Sequence, residues 1–202
     1  MKKFFKNIAR EIVKGALYIY FKVVYKAEIK GLNNIPKEGA LVFCGNHRSF
    51  LDAPLMMATN KRFARFMAKE DLRKNKFLAF LAIIFDAIYV KRDSKDLVSI
   101  KEALKTLKQG GCIAIYPEGT RNGLEKGEKV KDGAAFMALR SGAKVVPVGI
   151  SGGEKAFKKM VINYGEAIDF SKYRNEKQDK DILDKVTKEI MNNVLLLTKK
   201  EN

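Results

Sequence analysis

His47 is the chain's one histidine, and it stands five residues before Asp52 in Asn46-His47-Arg48-Ser49-Phe50-Leu51-Asp52. A neutral imidazole takes a proton from an alcohol near pH 7. A carboxylate bonded to its other nitrogen fixes the tautomer and stabilises the imidazolium that forms. A spacing of five does not place two side chains on one face of a straight helix. It suits a strand-to-helix turn in which an Asp at the helix start looks back at the His. The same residues also read structurally, as a packed histidine and a helix N-cap. No Gly-x-Ser-x-Gly elbow surrounds Ser49. A base without a protein nucleophile implies direct attack by the substrate's own hydroxyl.

Tyr116-Pro117-Glu118-Gly119-Thr120-Arg121 is the second segment that could carry chemistry. Pro117 ends ladder pairing and Gly119 permits a tight turn. Arg121 can grip a phosphate bidentately, beside a nest of turn N–H groups. Glu118 would orient the arginine or a hydroxyl. The plain alternative is a surface turn with an exposed Glu–Arg pair. Ile88-Tyr89-Val90-Lys91-Arg92 delivers two cations at a strand end, which equally suits a solvated end. Val145-Val146-Pro147-Val148-Gly149-Ile150 reads as a core strand with a bulge at Pro147.

The elements that must position these residues follow from the rest of the 202-residue chain. Its length favours one domain with a short appendage. Hydrophobic residues are 47% and charged residues 31%, a globular composition. A net charge of +17 implies polyanionic company: nucleic acid, an anionic bilayer, or phosphate-bearing substrates. Two cysteines, Cys44 and Cys112, in apolar runs exclude a disulfide scaffold and read as buried thiols. A single histidine excludes multi-histidine zinc chemistry, and no CxxC, GxxxxGK[ST] or GxGxxG is present. No apolar window is long enough for a bilayer span.

Apolar runs alternate with helical patterns past residue 30. Strands are expected at 40–45, 63–69, 87–90, 112–116, 144–150 and 160–164. Helices are expected from Asp52 as N-cap, over Leu72–Phe85, from Ser94 as cap to the stop at Gln109-Gly110-Gly111, over Asp132–Arg140 and over 179–198. The fold class is α/β, a mixed and largely parallel sheet flanked by helices. Residues 1–26 stand apart. At 100° per residue Phe4, Phe5, Ile8, Ile12, Ala16, Ile19 and Val23 share an arc, with Lys3, Lys6, Arg10 and Lys14 opposite. This is the pattern of a basic amphipathic helix lying in a membrane interface, and tyrosines 18, 20 and 25 suit the headgroup level. The division expected is a membrane-associating helical segment at 1–26 and an α/β domain at 27–202. The alternative is a helix packed on its own domain.

Taken together, the segments resemble the glycerolipid acyltransferase family, and within it the bacterial 1-acyl-sn-glycerol-3-phosphate acyltransferases, over roughly residues 25–170. Asn46–Asp52 matches the family's His-x4-Asp motif, and Tyr116–Arg121 its Phe/Tyr-Pro-Glu-Gly-Thr-Arg motif, 71 residues on and in the family's order. Ile88–Arg92 matches the Arg-bearing block and Val145–Ile150 the Pro-bearing block. Lys131 and Gly133 fit a Lys-x-Gly that follows.

The resemblance implies His47 as general base, Asp52 as its partner, and Arg92, Glu118, Gly119, Thr120, Arg121 and Lys131 as the acceptor-phosphate site. It implies acyl transfer from acyl-carrier protein or acyl-CoA to lysophosphatidic acid, with no metal and no cofactor. It also implies a two-helix N-terminal membrane module at the cytoplasmic face of an anionic membrane, peripheral or monotopic, and no nucleic-acid partner. Alternatives are another lysophospholipid or acylated amino acid as acceptor, or a non-catalytic basic protein binding membrane or nucleic acid. Two positions depart from the family pattern. Asp86 replaces a usual glycine and would repel a nearby phosphate, and Asn122 stands where Ser is frequent.

Overall fold

A computed structural model describes residues 2–91, 96–153, 155–173, 176 and 179–199, the side chains of Lys2 and Lys3 excepted. Arg92 and Ser94 therefore lie outside the described residues, as does the Lys3 side chain. In chain order the elements are α1 (Lys2–Val24), β1 (Glu28–Lys30), β2 (Leu41–Gly45), α2 (Asp52–Thr59), β3 (Ala64–Lys69), α3 (Lys76–Ile84) and β4 (Ile88–Val90). Then come α4 (Leu97–Lys108), β5 (Cys112–Ile115), α5 (Gly133–Ser141), β6 (Lys144–Gly152), β7 (Met160–Tyr164) and α6 (Lys180–Thr198).

Seven strands form one sheet in the order β1-β7-β6-β2-β5-β3-β4. Every neighbouring pair is parallel except β6–β7. The sheet is mixed and largely parallel, as its apolar strands and intervening helices predict. Side chains alternate along each strand. Leu41 and Phe43 of β2 join a core with Leu17, Phe21, Leu55, Met56 and Leu81, under α1, α2 and α3. Val42 and Cys44 join a second core with Leu107, Ala135, Val186 and Ile190, under α4, α5 and α6. The result is a three-layer sandwich with two cores. Both cysteines are buried and unpaired, and burial raises both thiols above their ordinary range, so neither is a ready nucleophile.

Several expectations change. The β2–β6 register runs unbroken from Leu41↔Lys144 to Gly45↔Val148, so Pro147 makes no bulge. Leu72–Phe85 is not one helix. A 3-10 turn at Glu70–Lys74 precedes α3, which Asn75 caps by accepting from the Leu78 amide. Asp96 caps α4 by accepting from the Ser99 amide. β1 has only three residues, too few to show a period in sequence.

Among the described residues α1 is the helix that precedes the sheet, and its orientation differs from the simple picture. Leu17, Phe21 and Tyr25 enter the first core, so α1 and the α/β body share packing. Arg10, expected on the wet side, is buried. It donates to the Ile84 carbonyl at 3.0 Å, pairs with Asp86 at 2.6 Å, and lies over the Phe63 ring at 3.8 Å. Lys6 pairs with the same carboxylate. Asp86 thus spends its charge on α1, and repulsion of a phosphate is not its role here. The predicted apolar arc faces outward instead: Phe4, Phe5, Ile8, Ile12, Ile19 and Val23 are 43–67% exposed. Phe77, Phe80 and Ile83 of neighbouring α3 are exposed as well.

Candidate active site

The parallel strands β2, β5 and β6 end on the same edge of the sheet, where ligands of open α/β sheets bind. Three connections meet there: the turn 46–51 after β2, the loop 116–124 after β5, and the end of β6. Gly45 is the last residue of β2, and a Cβ there would lie 3.1 Å from the Tyr116 ring. Glycine lets that ring descend and stack on His47, centroids 4.5 Å apart and planes 17° from parallel.

Asp52 is the first residue of α2 rather than its N-cap, which is Leu51. Its side chain turns back out of the helix and is 1% exposed. Oδ2 accepts from the His47 ring Nδ1 at 2.8 Å and from the backbone amides of Arg48 at 2.6 Å and Ser49 at 2.8 Å. The carboxylate accepts, so in the neutral ring the proton sits on Nδ1 and the lone pair on Nε2. Two amide dipoles hold the carboxylate still while it holds the ring. Ser49 accepts from the Leu51 amide through Oγ at 3.0 Å, a local turn bond.

The loop after β5 is laced to this turn from both sides. Glu118 is 4% exposed, and its oxygens accept from the His47 amide at 2.8 Å and the Leu124 amide at 3.1 Å. Both oxygens accept from the protein's own backbone, so Glu118 ties its loop to the His47 turn. Asn122 returns the tie by donating its amide to the His47 carbonyl at 2.7 Å. It does so in the left-handed region, φ 53°, which Asn tolerates better than most residues. Gly119 is also left-handed, φ 65°, and a Cβ on it would meet the Lys131 side chain at 3.0 Å. Lys131 therefore lies across the turn, its amide bonded to the Pro117 carbonyl at 2.9 Å. Thr120 is half-buried beside them.

Arg121 is exposed and its guanidinium sits 3.6 Å above the Phe50 ring, on the His47 turn. The structure thus brings His47, Asp52 and Glu118 into one hydrogen-bonded unit. Arg121 and Lys131 are placed on adjoining loops. A groove of about 930 Å³ opens at His47; its walls include His47, Arg48, Glu118, the loop residues Asn122, Leu124 and Glu125, the end of β6, lysines from the β1–β7 edge and the end of α6, and Arg121 is not among them.

Two contributors escape sequence reading. Asn46 is buried, and its amide donates to the Ile150 carbonyl at 2.9 Å and accepts from the Ile150 amide at 2.7 Å. It continues the β2–β6 ladder where the β2 backbone turns away. Arg48 then donates to the Gly152 carbonyl at 3.1 Å. An asparagine directly after a buried strand was the available signal, since its amide carries a peptide's donor and acceptor.

The Tyr116 hydroxyl has no hydrogen-bond partner among the described residues. Burial, then the nearby Asp52 and Tyr164, push it well above the usual phenol range, so it stays protonated. Tyr116→Phe keeps the stack and removes an orphan that costs about 1–3 kcal/mol. Its thermal melting midpoint should equal or exceed the parent's; a lower midpoint contradicts the orphan.

A sequence model of the acyltransferase family matches residues 26–151. A 1-acyl-sn-glycerol-3-phosphate acyltransferase of Borreliella burgdorferi is 28% identical over 179 residues, covering 82% of this chain and 72% of that protein. One from Bacillus subtilis is 29% identical over 165 residues, covering 79% and 77%. A chloroplastic relative from Arabidopsis thaliana is 28% identical, and the alignment spans 46% of its length. The crystal structure of a 1-acyl-sn-glycerophosphate acyltransferase from Thermotoga maritima superposes on the whole chain with a TM-score of 0.71 at 22% identity, covering 85% of that protein.

Proposed function

The chain belongs to the acyltransferase family, and from that membership we propose that it moves a fatty acyl group from a thioester to the free hydroxyl of 1-acyl-sn-glycerol 3-phosphate, giving phosphatidic acid. The observation that carries the reading is the His47–Asp52 pair beside a groove, bonded through Nδ1 so that Nε2 is the ring nitrogen left for a substrate hydroxyl. His47 Nε2 takes the hydroxyl proton as the oxygen attacks the thioester carbonyl. The carbonyl π electrons move to oxygen, then return and expel the thiolate. The imidazolium, stabilised by Asp52, returns the proton to sulfur. One ester forms, one thioester breaks, and no metal or redox partner is required.

Arg121 and Lys131 are assigned to the acceptor's phosphate. Arg121 lies over the Phe50 ring and is exposed, a place from which a guanidinium can make a bidentate phosphate contact. Arg92 keeps this assignment by resemblance alone.

The test is an assay with a labelled acyl thioester, products read by mass spectrometry. Lysophosphatidic acid should be converted and monoacylglycerol, which lacks the phosphate, should not. Equal conversion of the two would remove the phosphate site, and no conversion of either would remove the reaction.

The reaction's acceptor resides in a bilayer, and among the described residues no helix is long and apolar enough to cross a membrane. The outward arc of α1, with α3 beside it, supports association at an anionic membrane surface, at the cytoplasmic face. The aromatic and aliphatic side chains enter the interface while flanking lysines meet anionic headgroups, each worth about 1 kcal/mol.

A further inference from the structure

Resting on the acyl-transfer reading above, we propose that the groove beside His47 holds the phosphopantetheine arm of the acyl donor, with its phosphate among the lysines of the groove's outer wall. At about 930 Å³ the groove has the size of a small-molecule site. His47 and Arg48 stand at one end of it. The acyl carbon must reach the hydroxyl that His47 deprotonates, so the arm behind the sulfur has to lead away from that point. The acceptor's assigned cation, Arg121, is stacked on Phe50 and does not line the groove. The groove is therefore left to the other reactant.

Its walls match an arm of alternating amides and apolar links. One wall is the end of β6 beyond β2, Ser151 and Gly152, followed by Gly153, with Lys158 and Lys159 packed against the two glycines. Asn46 and Arg48 hold that end rigid through Ile150 and Gly152. Val161, Leu195 and Leu197 supply apolar surface.

The charge balance favours an anion. Arg48, Lys30, Lys158, Lys159 and Lys199 line the groove against Glu28, Glu118 and Glu125. Glu28 is paired with Lys159 and lies 3.8 Å from Lys30. Glu118 is buried and bonded to two backbone amides. Lys158 and Lys199 are both exposed, and they are the groove cations whose change least disturbs packing. Coenzyme A and acyl carrier protein both carry the same arm and phosphate.

The decisive experiment pairs Lys158→Glu/Lys199→Glu with three donors: acyl-CoA, acyl-carrier protein, and S-acyl-N-acetylcysteamine, which has the thioester end without the phosphate. The KM for both phosphate-bearing donors should rise at least about 10-fold, with kcat/KM for the truncated donor unchanged. The KM for lysophosphatidic acid should stay within about two-fold. A larger rise for the carrier protein means that its acidic surface also meets these lysines; equal rises mean the arm alone does. Unchanged donor KM, or an equal loss with the truncated donor, overturns the assignment. Lys158→Gln/Lys199→Gln provides the milder change should the charge reversal fail to fold. Calorimetric binding of coenzyme A to parent and variant reads the groove without turnover. Should the parent transfer nothing from any donor, the reaction is refuted, and calorimetry still decides the groove.

Discussion

His47→Ala should lower kcat/KM by about 10²–10⁴-fold, because it removes the base while leaving the binding surfaces in place. Folding should survive, since Asp52 keeps the Arg48 and Ser49 amides and the Glu118 tie to the residue-47 amide uses backbone. Asp52→Asn makes the sharper companion. It retains shape, and its oxygen can keep the three donors that Oδ2 holds, but it removes the negative charge that stabilises the imidazolium. Its loss of kcat should approach that of His47→Ala, with little change in KM for either substrate. In kcat the double variant should be no worse than His47→Ala alone, because the carboxylate's part in the chemistry passes through the ring. Near-parent turnover in His47→Ala would falsify the mechanism.

The second large effect concerns the membrane. Ile12→Glu/Ile19→Glu changes two side chains that are 67% and 64% exposed, on the outward arc of α1. Neither enters either core, so the fold should be unaffected. Each isoleucine buried in an interface contributes about 1.5–3 kcal/mol, so losing both should weaken partitioning by roughly 10²–10⁴-fold. Sedimentation with vesicles containing anionic phospholipid measures this directly. Turnover of a short-chain lysophosphatidic acid that is monomeric in water should persist, which separates docking from chemistry. Unchanged sedimentation would show that this arc does not meet the bilayer.

The sheet and the active-site turn were legible because their signals are local. ALVFCG followed by Asn-His announces a buried strand ending in chemistry, and GTR after a Pro announces a loop. The apolar arc of α1 was also legible from its period, and the structure leaves it outward. Long-range partners were not legible. Glu118 looked like a surface acid because nothing local reveals that its oxygens meet amides of residues 47 and 124. Asp86 looked like a hazard to a phosphate because its partners, Lys6 and Arg10, lie about eighty residues upstream. The apolar run Phe77–Phe85 hid a helix start, since a cap such as Asn75 carries no periodicity. Arg10 was assigned to water by its charge, yet its long side chain crosses the core's rim to reach a carboxylate.

The first and last strands of the sheet are direct neighbours, with Glu28 opposite Val161. A ribosome adding ~5–20 residues per second makes the second of these only about 7–27 s after the first. Throughout that interval β1 has no partner strand, because β7 is its neighbour in the sheet. The end of α1 likewise gains its backbone ties, from the Phe157 amide to the Val24 carbonyl and from the Met160 amide to the Tyr25 carbonyl, only when that late segment arrives.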